Sequence, residues 1–266
     1  FYFTLTNNLW LSGVAIGLAG ASKWSGFFVI PLIIALTINW KNFQLSILLR
    51  RLVQFILTPL GVYFITWSGW ILNSNGWARQ SGGNLFSSLW KYHIEILGFH
   101  RDLAEKHAYN ANPWSWLVLG RPTSFYYESP KDCGAASCAQ EILAIGTPIL
   151  WWAGVFAIAV TAGLFIVSKD RIAAFILAGI VGTYLPWFFI QGRTMFYFYA
   201  ISILPFLILA LIYTFNWALK YKDYRKYIGV FIIVVAINFI YFLPIFLGIQ
   251  IPYEDWLDRM WLPSWI

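Results

Sequence analysis

The sequence predicts an all-α, polytopic transmembrane helical protein with one long extracytoplasmic loop that contains an amphipathic helix. Three observations carry this. Of 266 residues, 60% are apolar and 11% charged, against about 25% charged in a soluble domain. Mean hydropathy is +0.66. The apolar residues also fall in blocks near the length needed to cross a bilayer, about 20 residues at a rise of about 1.5 Å. The net charge of +7 sits mostly in short loops between these blocks, which marks it as a topology signal and excludes a nucleic-acid partner as its reason. Many of the 16 Trp are expected at headgroup depth.

In chain order, residues 9–38 form an apolar block interrupted by Ser22-Lys23-Trp24-Ser25-Gly26. Either one long tilted helix or two short helices meeting at Lys23 fits. Broken backbone at membrane depth needs protein or a water-filled cavity beside it. Residues 52–72, 148–168, 172–190, 194–217 and 228–249 read as spans. Pro59, Pro186, Pro205 and Pro244 lie inside them or near their ends, where neighbouring helices can satisfy the freed carbonyls. Lys41, Arg50 and Arg51, then Lys169 and Arg171, then Lys220, Lys222, Arg225 and Lys226 fall on one side if these spans alternate. The positive-inside rule makes that side cytoplasmic. The protein is then a multi-pass cell-membrane protein with loop 73–147 and tail 250–266 facing outward.

Within the outward loop, residues 85–107 read as an amphipathic helix lying on the membrane surface. Phe86, Trp90, His93, Leu97, His100, Ala104 and His107 recur at spacings of four and three on one face. Asn84 is its expected N-cap, and Asp102 with Lys106 an i,i+4 ion pair. The three histidines do not make a metal site, because residues seven apart lie roughly 10 Å apart along the axis. His93 and His100 read as interfacial side chains. Cys133 and Cys138, the only cysteines, are expected to form a disulfide in an oxidising compartment. No metal and no cofactor is called for.

Candidate binding residues gather around the run from His107 to Trp116 and beyond. Trp114 and Trp116 read either as interfacial anchors or as a flat platform for a sugar ring or peptide. Arg121 before Pro122 reads as a planar phosphate fork or as a snorkelling side chain. Lys23, costly at about 2.5–3.5 kcal/mol if at the bilayer centre, faces an anionic lipid phosphate or is placed at the membrane interface by two short helices. Arg193, followed by Tyr197 and Tyr199, suits a lipid phosphate or a plain anchor.

Four stretches resemble the protein O-mannosyltransferases, the polyprenyl- or dolichyl-phosphate-mannose-dependent enzymes of the GT-C class of membrane glycosyltransferases. They are Gly17 to Phe27, His100 through His107 to Trp116, Arg121-Pro122 with Phe125-Tyr126-Tyr127, and Gly192-Arg193 with Phe196, Phe198 and Tyr199 before Leu204-Pro205. The resemblance is to the C-terminal half, and the start at Phe1 without Met fits a piece of a longer chain. It implies residues 1–72 as the end of an N-terminal catalytic membrane region, 73–147 as the extracytoplasmic loop and 148–266 as a C-terminal four-helix transmembrane region. The loop is too short for the MIR insertion of eukaryotic members, which points to a bacterial type. The resemblance further implies inverting transfer of mannose from a polyprenyl-phosphate carrier to Ser or Thr of a secreted protein. Lys23, His107, Arg121, Arg193 and Tyr199 would serve the leaving phosphate, and Trp114 and Trp116 the sugar or acceptor path. The catalytic acid is expected upstream of residue 1, and Glu95, Asp102, Glu105, Glu128, Asp132 and Glu141 read as solvated. The alternatives are a lipid-carrier glycosyltransferase acting on a glycan or lipid, or a transporter, which would place ionisable groups at the midplane.

Overall fold

A computed structural model describes residues 1–266. Four helices are long and apolar enough to cross a membrane: Leu45–Thr66, Pro148–Ser168, Arg171–Ile190 and Arg225–Leu247. Leu9–Ser22, Trp24–Thr37 and Leu204–Ala218 are shorter apolar helices. By packing, the chain divides into Phe1–Ala104 with Ala178–Pro186, and Glu105–Leu177 with Trp187–Ile266. The expected boundaries at 72 and 147 rest on an expected topology and are a division of a different kind.

In the first unit the 9–38 block is two helices. Lys23 is extended (φ −159°, ψ 131°) and stands between the helix Leu9–Ser22 and the 3-10 turn Trp24–Val29 that leads into Ile30–Thr37. The first of these helices carries Gly13 and Gly17 four residues apart, the small-residue spacing that lets two backbones meet. They face Gln54 and Pro59. Leu45–Thr66 contains a π turn over Val53–Leu57, just before Pro59, whose ring and missing N–H cannot be fitted into regular α-helix without a local rearrangement. Leu9, Ile16, Val29, Ile33 and Phe55 form the core. The expected 52–72 span begins earlier, at Leu45, because Arg50 and Arg51 stay in the helix. Arg51 reaches the buried Gln54 side chain at 2.8 Å.

The loop helix runs Leu85–Asp102, capped by Asn84 Oδ1, which accepts from Ser87 N at 2.8 Å. It stops five residues before His107. Asp102 takes the fork of Arg101 at 2.7 and 2.9 Å, so the Asp102–Lys106 pair does not form. His93 is not a simple interfacial side chain either. Trp24 donates from Nε1 to Tyr63 Oη at 3.0 Å, and Tyr63 lies 2.8 Å from His93 Nε2. His93 Nδ1 is 2.8 Å from the Leu89 carbonyl, so a neutral ring protonated on Nδ1 satisfies every partner. The Trp24 and Trp67 rings pack on it. Tyr63→Phe is expected to cost about 1–3 kcal/mol, since it strands both partners. A fall in the thermal midpoint of the detergent-solubilised protein checks this.

In the second unit Leu204–Ala218 packs on Pro148–Ser168, with Ala157, Ile176, Ala210 and Leu211 as the core. Asn238 Oδ1 accepts from Ile149 N at 3.1 Å, satisfying one of the open donors at a helix start. The expected 194–217 span is only partly helical. Residues 194–196 are not helical, Tyr197–Ser202 is a 3-10 turn, and the α-helix begins at Leu204 with Pro205 in its first turn. Proline starts a helix well and continues one poorly.

The all-α expectation gains a small antiparallel sheet, Thr123–Glu128 with Cys138–Ala144 and then Ile251–Pro252. Cys133, in the turn of its hairpin, is disulfide-linked to Cys138 at the start of the second strand, Cα to Cα 5.9 Å. Ala139 pairs with Ile251, and Tyr253 N donates to Ser137 O at 3.0 Å. The hairpin and the C-terminal tail therefore share one end of this unit.

Candidate functional site

The candidate site is built where two non-helical segments of the second unit meet. The run after the loop helix, 105–111, is held along 194–196. Thr194 Oγ1 donates to the Glu105 carbonyl. Met195 N donates to Asn110 Oδ1 at 2.9 Å, and Ala111 N to Met195 O at 2.8 Å. These segments cannot bond to themselves as a helix would, so they satisfy each other's backbone. Asn110 was not among the expected residues. Its signal was a small polar side chain in a run ending Asn112-Pro113, where turn chemistry is favoured.

The threading brings distant side chains into one ring. His107 meets Phe196 edge-on at 5.0 Å and lies 5.8 Å from Tyr109. Arg121 stands over Tyr109 at 5.1 Å. Phe196 is 6.3 Å from Tyr199, and the Arg193 guanidinium is 6.0 Å from the Tyr199 ring. His107 Nδ1 accepts from Tyr109 N at 3.1 Å, which puts the proton of the neutral ring on Nε2. His107 is exposed and offers that N–H as a donor.

The two arginines differ in how far they are spent. Arg121 donates from Nη1 to Ser264 O at 2.6 Å and Ile266 O at 2.7 Å, and from Nε to Ala108 O at 3.2 Å. Three of its five donors thus clamp the tail to the loop. In this structure its contacts are to backbone, so a phosphate on this side chain would have to displace them. Arg193 has only two long contacts, 3.5 Å to Thr194 O and 3.5 Å to Tyr199 Oη. It is half-buried, and its hydrogen-bonding capacity is hardly used.

The tryptophan pair also divides. Trp114 is 63% exposed and keeps a free face; Trp116 is 0% exposed. Its Nε1 donates to Ala111 O at 3.0 Å, and its ring packs on Trp187 and Tyr199. Its ring is enclosed and packs edge-on against Tyr199, so in this structure no face is open to a sugar. Trp151 Nε1 donates to its carbonyl at 3.1 Å. Lys23 belongs to the first unit, exposed at the helix break, and is not part of this ring.

Glu141, expected to be solvated, is 3% exposed and accepts from Trp256 Nε1 at 2.6 Å. Desolvation lifts its pKa above the usual carboxylate range, opposed by hydrogen bonds from Trp256 and Ser124. The unfolded chain therefore ionises first as pH rises. Stability from this group is full below about pH 4.5 and falls as pH rises through the lifted value. Glu141→Gln keeps the acceptor and loses the charge. Its advantage in thermal midpoint over wild type is expected to grow with pH and then level off; a pH-independent difference would show that the group does not titrate in this way.

Residues 85–172 match the C-terminal four TMM region of protein-O-mannosyltransferase. The chain is 27% identical over 96% of its length to the polyprenol-phosphate-mannose--protein mannosyltransferase of Mycobacterium tuberculosis. The proteins of the same description in Mycolicibacterium smegmatis and Corynebacterium glutamicum are 28% and 25% identical over the same share. The chain spans 56–57% of the length of these relatives. Among solved structures it resembles the S. cerevisiae protein O-mannosyltransferase Pmt1-Pmt2 complex bound to the sugar donor. That match has a TM-score of 0.55 and 25% identity over 69% of this chain and 27% of that one. Alignment along nearly the whole chain, a matching membrane region and a similar fold point the same way: the chain is similar to the C-terminal region of the protein O-mannosyltransferases.

Proposed function

We propose that this chain is the C-terminal part of an inverting mannosyltransferase that moves mannose from polyprenyl-phosphate-mannose to a Ser or Thr hydroxyl of a secreted protein. The observation that carries the reading is the alignment of 96% of the chain with relatives that bear this activity in their name. In the reaction the hydroxyl oxygen bonds to mannose C1 as the bond from C1 to the carrier phosphate oxygen breaks. The hydroxyl proton passes to a carboxylate expected upstream of residue 1. The phosphate gains charge as it leaves, and positioned cations and donors stabilise it. Arg193, Tyr199 and the Nε2–H of His107 take that role. Trp114 offers an apolar face to the sugar or the acceptor. Lys23 is a separate candidate for the lipid phosphate.

The reading places 73–147 and the C-terminal tail outside the cytoplasm, with membrane lipids around the spans. Support comes from the basic residues at 169–171 and 220–226. The division into 1–72, 73–147 and 148–266 goes with this topology. The test is transfer by the full-length protein from polyprenyl-phosphate-mannose to a Ser/Thr-rich peptide, with inverted anomeric configuration in the product. Transfer only to a glycan or lipid would replace the acceptor class with the alternative reading.

A further inference from the structure

At the end of the second unit opposite the sheet, the helices Leu204–Ala218 and Arg225–Leu247 hold a pocket of about 670 Å³ between them. Its walls include Phe215, Trp217, Tyr221, Tyr224, Tyr227 and Phe231. The polar atoms of these side chains are tyrosine hydroxyls and one indole N–H, and the rest is apolar. Pockets of this size suit a single small ligand or lipid chain. Tyrosine and tryptophan are favoured where a bilayer meets water, because one end of each ring is apolar and the other polar.

The rim is cationic. Lys220, Lys222, Arg225 and Lys226 lie in the connection and the first turn that carry Tyr221, Tyr224 and Tyr227. Lys222 Nζ stands 5.9 Å from the centre of the Tyr224 ring, at the wall of the pocket. The acids at this end are already engaged. Asp223 accepts from Arg225 N at 3.0 Å and lies 4.0 Å from the exposed Arg225 guanidinium. Asp170 accepts from Ala173 N at 2.9 Å. Six cations, counting Lys169 and Arg171, thus face two acids here.

We propose that this pocket binds one anionic phospholipid, with an acyl chain between the aromatic walls and the headgroup phosphate on Lys220, Lys222 and Lys226. The charge excess selects an anionic over a zwitterionic headgroup, and the apolar walls demand more than a free phosphate. The proposal does not depend on the transfer reaction.

Native mass spectrometry of the full-length protein tests it, with phosphatidylglycerol and phosphatidylcholine of identical chains. Wild type is expected to retain one phosphatidylglycerol preferentially. Lys222→Ala/Lys226→Ala is expected to weaken that retention by about fivefold per cation removed, and Lys222→Arg/Lys226→Arg to keep it. Ala218→Trp leaves every charge in place but fills the pocket, and is expected to abolish retention, with an unchanged thermal midpoint showing that the fold survives. Equal retention of both lipids by wild type would overturn the proposal. So would full displacement by inorganic phosphate, or phosphatidylglycerol retention unchanged in the Ala218→Trp protein, the result expected if another membrane segment of the longer chain covers the pocket.

Discussion

Arg193→Ala in the full-length protein is expected to lower kcat for mannosyl transfer by about 10²–10³-fold, the cost of removing one group aimed at developing charge. The argument rests on the contrast between two arginines. Arg121 has contacts of 2.6, 2.7 and 3.2 Å to backbone carbonyls, and a phosphate would have to displace them. Arg193 has contacts of 3.5 Å only, so it meets an anion at little cost. Arg193→Lys keeps the charge and loses the planar fork, so an intermediate rate is expected. Arg121→Ala is expected to act differently, lowering thermal stability and loosening the tail. The measurement is single-turnover transfer from polyprenyl-phosphate-mannose, together with the thermal midpoint of each variant. Normal turnover by a properly inserted Arg193→Ala protein would remove this residue from the site.

Gly13→Ala is expected to give the largest loss of stability of any single methyl added to the first unit. A Cβ at Gly13 would lie 2.0 Å from the Gln54 carbonyl oxygen, and one at Gly17 2.7 Å from that of Pro59. Both obstacles are backbone, which cannot rotate away as a side chain can. The helices must separate, and overpacking of this kind costs about 1–3 kcal/mol or more. Gly61→Ala is the control. It lies in the helical segment Thr58–Thr66, and nothing stands within 4 Å of its added Cβ. There alanine is expected to be neutral or to stabilise by about 0.5–1 kcal/mol through backbone entropy. Equal thermal midpoints for the Gly13 and Gly61 variants in detergent would sink the close-approach argument.

The helical spans were legible in the sequence because insertion free energy adds up residue by residue along a segment. Blocks 148–168, 172–190 and 228–249 correspond to Pro148–Ser168, Arg171–Ile190 and Arg225–Leu247. The break at Lys23 was legible as one of two options, since a cation in an apolar run marks a local cost. The end of the loop helix was not. The periodicity continues to His107, but the helix ends at Asp102, and the chain beyond it bonds to residues near 195, some eighty positions away.

Trp114 and Trp116 show where sequence alone stops. Two residues apart on one short helix, they point to different sides, and pattern cannot say which side meets a core. Trp187, Tyr199 and Trp151 decide it by enclosing Trp116 and leaving Trp114 exposed. By itself the sequence determined where the long apolar helices lie, where its charges cluster and which family its stretches resemble, because each of those depends on neighbouring residues. Only the tertiary structure decided which arginine is a clamp, which has capacity for a ligand and which carboxylate is buried. Those properties depend on partners far along the chain, and their short-range hydrogen bonds and packing leave no periodic trace.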